Sequence, residues 1–284
     1  MKRMKPRRKI ILVDCSHILY VCYFGLVERD RDKQNITAKF LGRVLQLIDE
    51  NNTTDLVFCW DSPTSIRKEK YSFYKEKRHV QPDRNMKYLH QAKEDLKTIL
   101  PAMGLHASIE VDGYEADDTT CEMVRRHPDI DFIIVANDND LFQILRYSNL
   151  KGIFSCRENI LTTKKGVIDK WGIHPRDWHL FKAIGGCKSD EVPGIPKIGK
   201  AYATQFLQGK LVEGSNAMNQ IWEHRNTTFL RNYWLVTLPL PGLKQHSLIL
   251  VPNHVTKKKL TTVGIAYDIF FSTKWKKVIK KTRK

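Results

Sequence analysis

Short apolar runs separated by stretches of helical spacing set the pattern of this chain. Residues 10–13, 56–60 and 132–136 are the runs, each bounded by polar residues. They read as buried strands of a parallel sheet, because a strand covered on both faces loses the alternation of a half-exposed one. In residues 37–48, Phe40, Leu41, Val44, Leu47 and Ile48 fall on one helical face. In 86–100, Met86, Leu89, Ala92, Leu96 and Ile99 do the same, and Pro101 closes that helix. Residues 17–26 are apolar and aromatic, and 28–35 form a polar loop. Further along, 152–156 predicts a strand, 166–171 a short helix closed by Gly172, and Pro175 the start of another that includes Trp178, Leu180, Phe181, Ala183 and Ile184. Residues 216–238 predict one helix, 247–251 a short strand, and 261–271 fits either state. Strands alternating with helices give an α/β class, a parallel sheet flanked by helices. Near residue 160 the composition shifts to helices joined by glycines, which divides the chain into 1–163 and 164–284.

Each of the first three runs ends in a carboxylate: Asp14, Asp61, and Asp138 with Asp140. Parallel strands bring their carboxyl ends to one edge, where open α/β sheets place their chemistry. The segment EADDTTCEMVRR adds a helix that opens with Glu115, Asp117 and Asp118. Acids in a first turn also complement the helix dipole, which accounts for one such cluster. It does not account for a second group at a strand end, because clustered carboxylates repel unless cations neutralise them. A divalent-metal site is the expectation for residues 111–145.

Composition narrows the partners. With 48 Lys and Arg against 31 Asp and Glu, the 284-residue chain carries +17, and nucleic acid is the leading polyanion. Residues 66–85 interleave bases with Tyr71, Phe73 and Tyr74, a composition that suits single strands and is also that of a solvated loop. The run Gly194-Ile195-Pro196-Lys197-Ile198-Gly199-Lys200 predicts a tight turn before a helix at Ala201, with backbone N–H groups and two lysines able to hold phosphate. The 10 histidines show no metal-ligand spacing and the 6 cysteines no paired motif, which excludes a zinc enzyme and a disulfide framework. The basic N-terminus is followed by too few apolar residues for a signal peptide, and no run approaches a membrane span. A soluble, intracellular, cytoplasmic protein of a bacterial or phage-infected cell is expected, without membrane association and monomeric. The tail 274–284 is a basic contact arm.

Taken together, the EADD helix start, the DND after a strand and the block GGCKSDEVPGIPKIGK resemble the 5′-nuclease (flap endonuclease) family, from Asp14 to about Phe206. That family includes phage-type stand-alone exonucleases and the 5′-exonuclease domain of bacterial DNA polymerase I. The resemblance implies a PIN-like α/β catalytic domain over 1–163 with an arch at about 64–100. It also implies a helical domain over 164–284 containing a helix–hairpin–helix (helix-three-turn-helix). The implied activity is that of a metal-dependent 5′→3′ exonuclease and flap endonuclease acting near 5′ ends of branched DNA or RNA/DNA hybrids, in primer and flap removal alongside replication proteins. The implied first metal set is Asp14, Asp61, Glu115 and Asp117, with Asp118 behind it; the second is Asp138, Asp140 and Asp190. Tyr74, Lys75 and Arg78 match the arch motif whose basic groups contact the scissile phosphate. Gly194, Ile195, Lys197, Ile198, Gly199 and Lys200 match the hairpin, which grips duplex backbone and holds K⁺ on carbonyls. Mg²⁺ is the expected cofactor, two ions about 4 Å apart, with Mn²⁺ able to substitute. Cys187 departs from the pattern, standing where an aspartate is expected; a thiol is a poor Mg²⁺ ligand, and Glu191 is the nearest replacement. A PIN-type ribonuclease lacks the hairpin block, and a non-catalytic branched-DNA-binding protein would carry a degraded second site.

Overall fold

A computed structural model describes residues 7–79, 86–243 and 251–269, and the side chains of 78 and 79 are not among the described parts. The strands are β1 (Lys9–Asp14), β2 (Leu56–Cys59), β3 (Ser108–Ile109), β4 (Asp131–Val135), β5 (Leu150–Ser155) and β6 (Ile160–Thr162). Between and after them come α1 (Cys15–Phe24), α2 (Lys33–Asn51), α3 (Ile66–Lys70), α4 (Met86–Met103), α5 (Ala116–Arg126) and α6 (Lys164–Trp171). The later helices are α7 (Trp178–Gly185), α8 (Lys200–Leu207), α9 (Asn216–Glu223), α10 (Leu230–Val236) and α11 (Lys257–Ala266). The fold is mixed α/β with mostly parallel strands flanked by helices. Two compact units divide the chain: Met1–Trp60, Pro82–Ile109 and Ser247–Lys284 form the first, Asp61–Gln81 and Glu110–His246 the second.

In the first unit β1 runs parallel to β2, with Asp14 level with Cys59, and β2 runs parallel to the short β3. Ile10, Ile11, Leu12 and Val13 are all buried, as are the residues of β2, which is why both strands read as unbroken apolar runs. Asp14 ends β1 and also caps α1, accepting from the His17 amide at 2.9 Å. The polar stretch expected as a loop is partly capping sequence: Asp32 accepts from the Asn35 amide and α2 already starts at Lys33. α4 runs past Pro101 to Met103, since a proline in the last turn removes a single backbone bond. Asn253 ties the returning chain to this unit, donating to the carbonyls of Thr54 (2.7 Å) and Leu56 (2.8 Å) and accepting from the His106 amide (2.8 Å).

The second unit holds β4 parallel to β5 and β6 antiparallel to β5, followed by the helices α6 to α10. The helix expected over 216–238 is interrupted. A π-helical turn over Arg225–Phe229 separates α9 from α10, with the His224 carbonyl accepting from both Thr227 and Phe229 amides. Buried polar side chains stitch the helices to the rest of the unit. Gln143 donates to the Val236 carbonyl (2.9 Å) and accepts from the Leu238 amide (2.8 Å), while Asn232 donates to the carbonyls of Ala183 (2.9 Å) and Pro193 (2.6 Å). The expected strand at 247–251 and the basic tail 274–284 fall wholly or largely outside the described residues. Residues 261–271 begin inside α11. No helix among the described residues is long and apolar enough to cross a membrane.

Candidate metal centre

The acidic start of α5 is fixed from several directions. Glu115 is its N-cap, and Asp118 returns a side-chain bond to the Glu115 amide in a capping box. Asp61, just past β2, accepts from the Ala116 amide at 2.8 Å, so it lies on the same helix end. The turn before the helix is held by Gly113, whose amide donates to Ser62 and Thr64 hydroxyls, both 3.0 Å away. A Cβ on Gly113 would lie 2.7 Å from the Ile66 side chain, and its φ of +79° favours glycine. Asp117 follows, half-buried, in the first turn.

Asp118 is committed elsewhere. Its two oxygens take both guanidinium nitrogens of Arg67, at 2.5 and 2.8 Å, and the Leu240 amide at 2.7 Å. Arg67 is itself buried and also donates to the carbonyls of Leu235 (2.8 Å) and Thr237 (3.2 Å). Both Asp118 oxygens are hydrogen-bonded and buried, so Asp118 supports the helix start and has no oxygen left facing outward.

Residues 71–77 bring the expected arch residues onto this site. Lys75 Nζ lies 2.7 Å from Glu115 Oε1 and 3.8 Å from Asp190 Oδ1, and the Tyr74 hydroxyl donates to Glu115 Oε2 at 3.1 Å. Burial opposes ionisation of Glu115, but the charges of Lys75 and Arg67 outweigh it and hold its carboxyl below the usual range. Tyr74 is buried against Ala183, Cys187, Val192, Leu235 and Val236, with Tyr71, Phe73, Phe229 and Trp234 packed on the same cluster. The aromatics of this stretch are therefore packing residues first. Arg78 lies in a 3-10 turn over Glu76–His79. The Lys75 amide donates to the Asp190 carbonyl at 3.1 Å, and the Lys77 amide to the Glu191 carboxylate at 3.0 Å. Glu191 thus anchors the 75–77 segment.

Asp140 and Asp190 form a second acidic group around Cys187, with Asp138 beside Asp140. Asp138 caps the 3-10 helix Asn139–Arg146 through the Asp140 amide, at 2.8 Å. Asp140 and Asp190 are buried and share a side-chain hydrogen bond. Burial, opposed by Lys75 and reinforced by Asp140, pushes the Asp190 carboxyl up to about 7. Burial and then Asp140 also raise Asp138, while at Asp140 burial is outweighed by Lys182 together with the hydrogen bond to Asp190 and the charge of Lys75, which hold it low. Donor atoms of Asp140, Cys187 and Asp190 lie within 4.8 Å of one another. Asp14 belongs to the first unit and is placed there as the end of β1.

The glycine-flanked turn joins α7 to α8. Ile195 and Ile198 are buried and hold it closed, with the Ile195 amide bonded to the Ile184 carbonyl at 2.9 Å. Lys197, Gly199 and Lys200 are exposed, Gly194 half-buried, and Gly199 is the N-cap of α8. Two residues of the site carry no motif. Arg67 sits among bases that point outward, and nothing in that run marks it. Lys182 did leave a signal: a lysine inside the apolar stretch Trp178–Ile184 faces something other than water.

Residues 9–172 match the family of the 5′-3′ exonuclease N-terminal resolvase-like domain. A 5′-3′ exonuclease of Halalkalibacterium halodurans is 31% identical over 215 residues, covering 70% of this chain and 69% of the relative. One from Buchnera aphidicola subsp. Schizaphis graminum is 26% identical over 271 residues, covering 90% and 91%. Among solved structures, T5 5′-exonuclease with divalent metal ions (zinc) bound has a TM-score of 0.69 at 15% identity, over 82% of this chain and 90% of that one. The last is a likeness of fold. The family match over more than half of the chain and the identity to the H. halodurans protein make this chain a nuclease of the 5′-3′ exonuclease family.

Proposed function

We propose that the chain is a divalent-metal-dependent 5′→3′ exonuclease and flap endonuclease, hydrolysing phosphodiester bonds near 5′ ends of branched DNA or RNA/DNA in primer and flap removal. The observation that carries this reading is the ammonium of Lys75 set between Glu115 and Asp190, carboxylates from the start of α5 and from the loop after α7. Asp61, Glu115 and Asp117 offer hard oxygens that fit Mg²⁺, with Mn²⁺ able to substitute. The sequence resemblance alone adds Asp14 to them. Divalent ions there supply water activation and neutralise charge on the departing oxygen.

The remaining work falls to the chain's own groups. Arg67 and Asp118 hold the helix start, and Tyr74 holds one oxygen of Glu115. The Lys75 side chain, 21% exposed, can exchange its carboxylates for a substrate phosphate, and Arg78 is assigned beside it by resemblance. The exposed Lys197, Gly199 and Lys200 fit the phosphates of a duplex as a helix–hairpin–helix would, with K⁺ on the turn's carbonyls assigned by resemblance. The substrates are DNA with 5′ flaps or free 5′ ends and RNA/DNA hybrids. Replication proteins are the expected partners and a monomer the expected state.

A 5′-labelled flap duplex incubated with Mg²⁺ or Mn²⁺ tests the reading. Wild type is expected to cut near the junction, and Asp117→Asn to lose more than the roughly 10–100-fold that an outer-shell partner is worth. Tight binding without cleavage in either metal would overturn it. Cleavage confined to single-stranded RNA would replace it with a ribonuclease.

A further inference from the structure

The two acidic groups of the second unit differ in chemistry. Asp61, Glu115 and Asp117 are carboxylates throughout. Around Asp140 and Asp190 stand a thiol and an ammonium. Cys187 Sγ lies 3.6 Å from Asp140 Oδ2 and 3.4 Å from Asp190 Oδ2. Lys182 Nζ lies 2.5 Å from Asp140 Oδ1 and 3.3 Å from the sulfur. A cation already sits on these donors, and it belongs to the protein. A second hard dication fits this set poorly. Thiols are soft donors that hard dications bind poorly, and this one is buried against both carboxylates. An ion on Asp140 Oδ1 would also face the ammonium bound to the same oxygen.

Resting on the metal-dependent reading above, we propose that Lys182 is the resident cation of this group. Its ammonium takes the place of the second divalent ion, and the free enzyme binds one divalent ion per chain.

Burial and tethering separate this lysine from Lys75. Lys182 is 7% exposed and belongs to α7, between Phe181 and Ala183, which are 2% and 0% exposed. Withdrawing its ammonium would leave Asp140 buried and uncompensated, the costly way to break such a pair. Lys75 lies outside any helix, has φ of +53° and a side chain 21% exposed, so it can leave Glu115 to an incoming ion. Cys187 tips the balance further, because a soft thiol stands where the family resemblance expects a hard carboxylate. Lys182, in direct contact with Asp140, then supplies the buried counter-charge.

Mn²⁺ binding to the full chain without nucleic acid, followed by the EPR signal of free Mn²⁺ and by calorimetry, tests this. Wild type is expected to bind about one Mn²⁺ per chain and Lys182→Met about two, the usual pair of a two-metal site. Adding Cys187→Asp to that variant should tighten the extra ion at least about tenfold, by restoring a hard ligand. Lys182→Gln, which keeps a hydrogen bond to Asp140, serves if the Met variant does not fold by circular dichroism. Two ions in wild type, or one in every variant, overturn the proposal. No Mn²⁺ bound by wild type overturns the metal-dependent reading itself, and the proposal with it.

Discussion

At the scale of single residues, Arg67 is a buried charge of the second unit that the fold holds from several sides. Its guanidinium meets Asp118 with two parallel bonds and donates two more to the Leu235 and Thr237 carbonyls. Asp118 in turn satisfies the amides of Glu115 and Leu240. A buried ion pair adds little net stability when whole, but losing one partner strands a charge away from water. Arg67→Met should therefore cost about 3–5 kcal/mol in denaturant unfolding. Arg67→Lys should also be destabilising, because an ammonium cannot reproduce the planar fork. Combining Arg67→Met with Asp118→Leu should recover part of the loss, the mark of direct coupling. A single Arg67→Met variant within about 0.5 kcal/mol of wild type, the range of an ordinary surface change, would sink this account. The sequence could not single this arginine out. It lies in IRKEK, where its basic neighbours Lys68 and Lys70 are exposed, and only the turn of α3 decides which one faces inward.

At the scale of elements, the α7–α8 connection depends on close backbone approach. Gly186 has φ of +79°, and a Cβ there would lie 2.5 Å from the Gly194 amide nitrogen and 2.8 Å from the Val192 carbonyl. Gly199 has extended backbone, and a Cβ there meets nothing within 4 Å. Gly186→Ala should then lose at least about 1–3 kcal/mol, the scale of a strained backbone residue, with a lower melting temperature. Gly199→Ala should lose less, no more than the roughly 1 kcal/mol that alanine costs at an N-cap, so a larger loss of DNA binding in it reports the exposed amide surface. Equal melting of both variants would refute the packing argument. Gly199 was legible as part of a turn and Gly186 was not singled out, because its role lies in what the backbone touches. The same holds for elements generally. The apolar runs at 10–13, 56–60 and 132–136 were readable because both faces of their strands are covered. β3 and β6 are too short to leave a pattern, and the π-helical break before α10 arises from where a single carbonyl, that of His224, places its bonds.

At the scale of the whole molecule, order along the chain and compactness in space diverge. A change in composition near residue 163 is visible in the sequence, whereas the contact-defined units are each assembled from separated segments. Asn253, which pins the chain beyond Ser247 to the first unit, has no neighbours that announce the role. The acids were legible for the opposite reason: they stand at strand ends and a helix start, positions that hydrophobic pattern alone locates. Charge is the remaining property of the whole chain. With a formal +17, binding to any nucleic acid will be strong at low salt, and affinity alone cannot identify a grip on the duplex. The salt dependence can. Each phosphate neutralised on duplex DNA contributes about −0.9 to the slope of log affinity against log salt. If the turn before α8 holds the backbone, replacing Lys197 and Lys200 together with Ala should make that slope shallower by about 1–2. Lys257 and Lys258, exposed at the start of α11, provide a charge-matched control. Their double replacement removes the same formal charge and should leave the slope as it was. Equal changes in both double variants, measured on the same duplex from low to moderate salt, would mean that the protein binds through its overall charge and not through the turn.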